Sequence, residues 1–201
     1  MTAIIDYGAG NLHSVRNALE ALGETAVITG EPDEILAADR VILPGVGAFG
    51  DAMARLRQSG LDKTIKLAAE SGKPLLGICL GLQLMFEESE ESPGVEGLGL
   101  FRGKCVKIPK KGDIKIPHMG WNSITLAKPS RLLDGLGREP YVYFVHSYYI
   151  RPQEPEAVSA YTEYGQRLDI AVERDNVAAT QFHPEKSGDV GMRILKNFIA
   201  M

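Results

Sequence analysis

From residue 3 to residue 87 the sequence alternates short apolar runs with amphipathic stretches, and this order restricts the fold more than any other feature. "AIID" (3–6), "TAVI" (25–28), "RVILPG" (40–45) and "KPLLGI" (73–78) have the length and composition of buried strands. After the first run, Leu12, Val15, Leu19 and Leu22 recur at helical spacing, and Gly23 stops the pattern. "DAMARLRQSG" and "LDKTIKLAAESG" read as two helices, each closed by a glycine. "LGLQLMFEES" opens another after the fourth strand. Strands that alternate with helices imply right-handed crossovers and a parallel sheet covered on both faces.

Beyond residue 87 the pattern changes. "SPGVEGLGLFRG" is a glycine-rich loop, and the acidic, glycine-rich segment 88–99 is expected to be merely solvated. Strand-like runs follow: "KCVKIP", "WNSITLA", "YVYFVHSYYI", "AVSAYTEYG", "RLDIAVERD" and "VAATQFHP". Turn residues separate several of them, which favours antiparallel or mixed pairing. "GDVGMRILKNFIAM" closes the chain as an amphipathic helix. The expected fold is α/β: a central mixed, mostly parallel sheet flanked by helices, with extra antiparallel strands in the second half. With 201 residues and no linker or repeat, residues 1–201 are expected to form a single domain.

Several function classes are disfavoured. The net charge is −4 and no lysine–arginine stripe appears, so no nucleic-acid partner is expected. No apolar stretch approaches the ~20 residues of a membrane span, and the start lacks a signal-peptide pattern. Two cysteines make no disulfide framework. A cytoplasmic, reducing setting is expected, in which Cys79 stays a thiol.

That cysteine lies in "GICLG" (77–81), the form of a nucleophile elbow with sulfur in place of oxygen. Such a turn places the nucleophile between a strand and a helix on a strained backbone, and the flanking glycines let neighbouring chains pass closely. The helix N-terminus behind the sulfur favours its anion. The Leu80 amide points where a tetrahedral oxyanion would form. Taken alone, a lone cysteine in an apolar run is more often a small core residue, and Cys105 in "RGKCVKIP" is assigned to packing.

A nucleophile needs a base. His183 ends a strand pattern in "ATQFHPEKS", and Glu185 follows two positions on. In extended chain, positions i and i+2 share a face about 6.6 Å apart. The carboxylate can then hold one imidazole nitrogen while the other meets a thiol, a Cys–His–Glu triad. "LPGVGAFGD" (43–51) follows the third strand, and its Gly45–Val46–Gly47 backbone is a source for a second oxyanion amide. On their own, "HPE" is an ordinary surface turn and the loop an ordinary glycine-rich turn into a helix.

"GICLGLQLMF" with "FHPEKS" resembles the class I (triad) glutamine amidotransferases. "PGVGAFGDAM", "PHMGWN" and "YFVHSYY" are similar to the glutaminase subunits of that class that serve a cyclase in histidine biosynthesis. The likeness covers essentially the whole chain. It implies a flavodoxin-like fold, glutamine as substrate and no cofactor. It also implies that Cys79 attacks the side-chain amide, His183 protonates the departing ammonia and Glu185 orients His183. Gly45, Val46 and Leu80 are implied at the oxyanion, and Gln83 with His146, Ser147 and Tyr148 at the glutamine. Without the likeness, Gln83 reads as a solvent-facing helix residue and "VHSYY" as an edge strand.

The resemblance further implies a separate (β/α)8-barrel cyclase as partner in a heterodimer. Ammonia released into water takes up a proton and ceases to be a nucleophile, so synthesis needs a dry route to an acceptor. The implied docking residues are Asn11, His118, Met119, Trp121 and Asn122; tryptophan and methionine are enriched in interface cores, although a lone tryptophan is as often buried in its own fold. Three rival readings are weaker. A glutaminase subunit of another synthase, or a related Cys–His–Glu amidase or peptidase, would share the triad but not the subunit-like stretches. "DYGAGNLHS" begins like a dinucleotide fingerprint, but His13 replaces the third glycine. The four histidines show no metal-ligand spacing, so no metal is expected.

Overall fold

The computed structural model describes residues 1–201. In chain order the elements are β1 (Thr2–Ile5), α1 (Leu12–Ala21), β2 (Ala26–Thr29), α2 (Pro32–Ala37), β3 (Arg40–Gly45), α3 (Phe49–Ser59), α4 (Leu61–Glu70), β4 (Leu75–Cys79) and α5 (Leu80–Leu84). Then come β5 (Glu88–Ser89), β6 (Gly103–Lys107), β7 (His118–Ser123), β8 (Thr125–Leu126), β9 (Tyr141–His146), β10 (Tyr148–Pro152), β11 (Val158–Glu163), β12 (Arg167–Arg174), β13 (Val177–Thr180) and α6 (Gly188–Ile199).

The large sheet runs in the order β2-β1-β3-β4-β13-β12-β10-β6-β5, with β11 also on β12 and β8 on β11. The strands from β2 to β13 are parallel. From β13 through β12 and β10 to β6 the pairing is antiparallel. β7 and β9 form a separate two-stranded antiparallel sheet. Alternate residues of the parallel strands feed two cores. Ile5, Leu43 and Leu75 pack with α2, α3 and α4 on one face. Ile4, Ile42 and Leu76 meet α1, α6 and the β9 residues Val142 and Phe144 on the other. Burial on both faces explains why these strands read as continuous apolar runs.

Four sequence expectations are corrected. The sequence pattern showed no helix between the second and third strands, but α2 occupies it; with one buried residue, Ile35, its apolar signal is slight. "YVYFVHSYYI" is two strands, β9 and β10, which belong to different sheets. The helix opened by "LGLQLMFEES" ends at Leu84, because the returning chain takes its terminal carbonyls: Leu98 N–H donates to Leu84 O at 2.8 Å and Phe101 N–H to Met85 O at 3.0 Å. The 88–99 loop is not merely solvated. Leu98 and Ser89 are buried. Glu91 Oε2 accepts from Phe49 N–H at 2.8 Å and Ser92 Oγ from Gly50 N–H at 2.9 Å. The loop therefore caps α3, which has no cap of its own.

Candidate active site

The parallel pairing of β3, β4 and β13 builds the site. β3 and β4 pair in a register that sets Gly45 beside Cys79, and β13 flanks β4 on the other side with Thr180 beside Ile78. The segments that leave the carboxyl ends of these strands therefore converge, where open α/β sheets place ligands. Cys79 is the last residue of β4, and α5 begins at the next residue, Leu80. The turn forces Cys79 to φ 57°, ψ −109°, a backbone conformation that disfavours a side chain. Gly77 and Gly81 permit it: a Cβ on Gly81 would lie 1.9 Å from the Leu43 carbonyl oxygen.

On the other wall, His183 Nδ1 lies 2.7 Å from Glu185 Oε1, with both side chains buried. The pair anticipated from "HPE" forms, but not in extended chain: Glu185 reaches the ring from within a tight turn. Pro184–Lys186 form one 3-10 turn, held by Ser187, whose Oγ donates to His183 O at 2.6 Å and accepts from Tyr143 N–H at 3.0 Å. His183 Nε2 has no completed hydrogen bond. Burial works against a charge on this ring, but the sulfur of Cys79 and the carboxylate of Glu185 outweigh it and push the pKa up to about 10. At neutral pH the ring is thus an imidazolium beside the Cys79 sulfur, the acid form that a departing amine requires.

Cys79 and His183 border one cleft of about 360 Å³ together with Val46, Gly47, Leu80, Gln83, Glu91, Pro117, Val145, His146, Ser147 and Tyr148. The residues assigned by resemblance to oxyanion and substrate thus converge on one wall or another, except Gly45, which lies beneath. A Cβ there would sit 2.6 Å from the Tyr7 hydroxyl and 2.9 Å from Leu80 Cβ. Gln83 is not solvent-facing but buried. Cys105 is fully buried, and burial pushes its thiol pKa up, consistent with packing. No group of three or more His, Cys, Asp or Glu side chains is placed to hold a metal ion.

The five residues expected on a docking face divide. Met119 and Trp121 are 61% and 56% exposed, large apolar side chains standing in solvent. Asn122 and Asn11 are half-buried, Asn11 at the start of α1. His118 is a correction: it is buried, because alternation along β7 turns it to the opposite side from Met119. The sequence reading missed Gln181. It is fully buried, with Nε2 3.8 Å from Cys79 Sγ and Oε1 accepting from Gln83 Nε2 at 3.1 Å. Its only signal was nearness in sequence, two positions before His183, in the bend that follows β13.

Two of the histidines here set an acid limit on stability. Burial, helped by the neighbouring His118 and His183, holds His146 down to about 3, and burial holds His118 down to about 4. Unfolded imidazoles protonate near pH 6.5, so below that pH the unfolded chain binds protons that the folded one refuses, and stability falls with pH. His183 acts oppositely: its raised pKa leaves its contribution complete below 6.5 and removes it only towards 10. His146 alone should therefore cost about 2 kcal/mol of unfolding free energy between pH 6.5 and pH 5. Urea titrations at both pH values check this. The slope should be shallower in His146→Gln; an equal slope would contradict the assignment.

A cysteine at an elbow, a paired histidine–glutamate and an adjoining cleft define a thiol-dependent amide hydrolase of the α/β kind. The chain belongs to the glutamine amidotransferase class-I family, whose profile matches residues 3–201. Within that class it groups with the HisH subunits of imidazole glycerol phosphate synthase. It is 51% identical to that subunit from Methanothermobacter thermautotrophicus over 99% of this chain and 98% of the relative. It is 52% identical to the one from Geobacillus thermodenitrificans over 100% and 96%, and 53% identical to the one from Moorella thermoacetica over 98% and 92%. Among solved structures, a glutamine amidotransferase crystal structure superposes with TM-score 0.78 at 20% identity, covering 98% of this chain and 97% of that one. The glutaminase domain of Trypanosoma brucei CTPS gives 0.69 at 16%, covering 99% and 93%. At such identities the two structures speak for the fold alone.

Proposed function

We propose that residues 1–201 act as one domain, the glutaminase subunit of an imidazole glycerol phosphate synthase, and that this subunit works in the cytoplasm. The observation that carries the chemistry is the convergence of Cys79 with the His183–Glu185 pair on one cleft. The Cys79 sulfur attacks the side-chain carbonyl of glutamine, and the C–N bond breaks as the His183 imidazolium gives its proton to the leaving amine, releasing ammonia. The neutral imidazole then takes a proton from water. The hydroxide so formed cleaves the γ-glutamyl thioester to glutamate and returns the thiolate. Backbone amides at Leu80 and in the Gly45–Val46 segment receive the oxyanion, and Gln83 with the His146–Tyr148 turn holds the substrate.

The partner is a (β/α)8-barrel cyclase. Ammonia passes to it and is joined to a ribulosyl nucleotide precursor, giving imidazole glycerol phosphate and the aminoimidazole carboxamide ribonucleotide. Exposed Met119 and Trp121 on β7 support a docking face beside the cleft, since Pro117, one residue before β7, borders it. No helix is long and apolar enough to cross a membrane.

Glutamine turnover, measured with and without the cyclase and its nucleotide, tests this reading: activity should be weak alone and rise on assembly. Full turnover by the free chain would count against it. Trp121→Ala should uncouple hydrolysis from synthesis, so that glutamate forms in excess of nucleotide product, while Tm changes little. A 1:1 yield from an intact variant complex would count against the docking face.

A further inference from the structure

The buried polar groups behind the cleft form a chain whose direction can be worked out proton by proton. His146 Nδ1 lies 2.8 Å from the Tyr148 carbonyl oxygen. A carbonyl can only accept, so Nδ1 carries the proton. Burial keeps the ring neutral, which leaves Nε2 bare. That nitrogen lies 3.0 Å from His118 Nδ1, so His118 must donate. His118 is neutral for the same reason, and its own bare Nε2 accepts from Asn122 Nδ2 at 3.3 Å.

The Asn122 amide is oriented independently. Its Oδ1 accepts from Ser123 N–H at 2.9 Å, and its Nδ2 also reaches Glu163 O at 3.1 Å. Every donor therefore points one way, from Asn122 through His118 and His146 to the Tyr148 carbonyl. That carbonyl accepts a second hydrogen bond, from Gln83 Nε2 at 3.3 Å. The other Gln83 N–H goes to Gln181 Oε1, and Gln181 Nε2 faces the Cys79 sulfur at 3.8 Å. One connected set of groups thus joins β7 to the nucleophile.

His118 is fixed within this chain by packing. Its ring is sandwiched between Phe144, with centroids 4.5 Å apart, and Tyr164, at 3.9 Å, both nearly parallel to it. Tyr164 is tied down in turn, its hydroxyl donating to Lys115 O at 2.7 Å. The next residue along β7, Met119, is exposed on the opposite side of the strand.

We propose that His118 is a positioning residue: its Nδ1–H holds His146 in the tautomer that fixes the Tyr148 carbonyl and, through Gln83 and Gln181, the sulfur of Cys79. This rests on the glutaminase reading for the reaction it serves. It makes β7 a strand with two functions, an outer face for docking and an inner imidazole that registers where the strand sits.

Two measurements test it. Long-range 1H–15N spectra at pH 7, in which the four histidines are assigned by substitution, should show both His118 and His146 as Nδ1–H tautomers. A proton on Nε2 of either ring overturns the relay. His118→Phe keeps a flat ring between Phe144 and Tyr164 but removes the donor, and His118→Asn keeps a donor near the Nδ1 position. In the assembled synthase, His118→Phe should lower kcat/KM for glutamine about tenfold at nearly unchanged Tm, and His118→Asn should recover most of it. Wild-type kinetics in His118→Phe, or a loss shared equally by both variants, would overturn the proposal. Should the wild-type chain fail to hydrolyse glutamine, the glutaminase reading falls, and the tautomer spectra still decide the relay.

Discussion

Replacing Cys79 by alanine is expected to lower glutamine turnover by about four orders of magnitude or more, because no other group can form the thioester. Cys79→Gly should be equally inactive and yet more stable than Cys79→Ala by about 1 kcal/mol, which reverses the ordinary order. Inside regular structure a glycine costs roughly 0.5–1 kcal/mol relative to alanine. Here the native backbone sits at φ 57°, ψ −109°, where any Cβ is strained and glycine is not. Urea midpoints of the two inactive variants compare only the backbone, since neither carries sulfur. If alanine proves the more stable, the elbow stores no strain at Cys79, and its geometry is imposed at no cost by the neighbouring glycines.

The strained thiol was legible in the sequence because its cause is local: glycines two positions either side, an apolar run before and a helical pattern after. The His183–Glu185 pair was legible because the two residues stand only two positions apart, although a 3-10 turn rather than extended chain brings them together. What joins the two halves is not local. β13 pairs on one side with its sequence neighbour β12 but on the other with the remote β4, and only that second register sets Thr180 beside Ile78 and so brings the following residues to Cys79. Composition states which face a residue takes, but not which strand lies next to it. The resemblance implied that Cys79 and His183 act together, and the pairing of β13 with β4 is what brings them there.

His118 shows the complementary limit. Strand alternation in "PHMGWN" separates His118 from Met119, but it does not say which of the two faces water. The sequence reading set both on the docking face, and the structure leaves Met119 there and buries His118. A polar side chain can be buried there because Asn122 and His146 satisfy both its ring nitrogens. Gln83 and Gln181 are buried on the same terms. The residues least legible in the sequence are thus buried polar ones whose partners come from distant strands, and they cluster around the nucleophile.

Gly81→Ala should be severely disruptive, costing at least about 3 kcal/mol or preventing soluble folding. The added Cβ would stand 1.9 Å from Leu43 O and 3.0 Å from Leu43 C. That carbonyl belongs to β3, which is hydrogen-bonded between β1 and β4 and cannot retreat. Gly77 meets the same contact from the other side, its Cβ position being 3.0 Å from the Gly81 backbone. α5 would have to lift from the sheet and carry Cys79 out of reach of His183. Gly23→Ala is the control: it has φ 81° and nothing within 4 Å, so it reports the conformational penalty alone, roughly 1–3 kcal/mol. Circular dichroism and urea midpoints for the two variants separate crowding from backbone strain, and equal losses would refute the close contact of α5 with β3. The two effects have one origin. The chain passes from strand to helix with no intervening residue, so the nucleophile must bear the backbone strain and the glycines must supply the space.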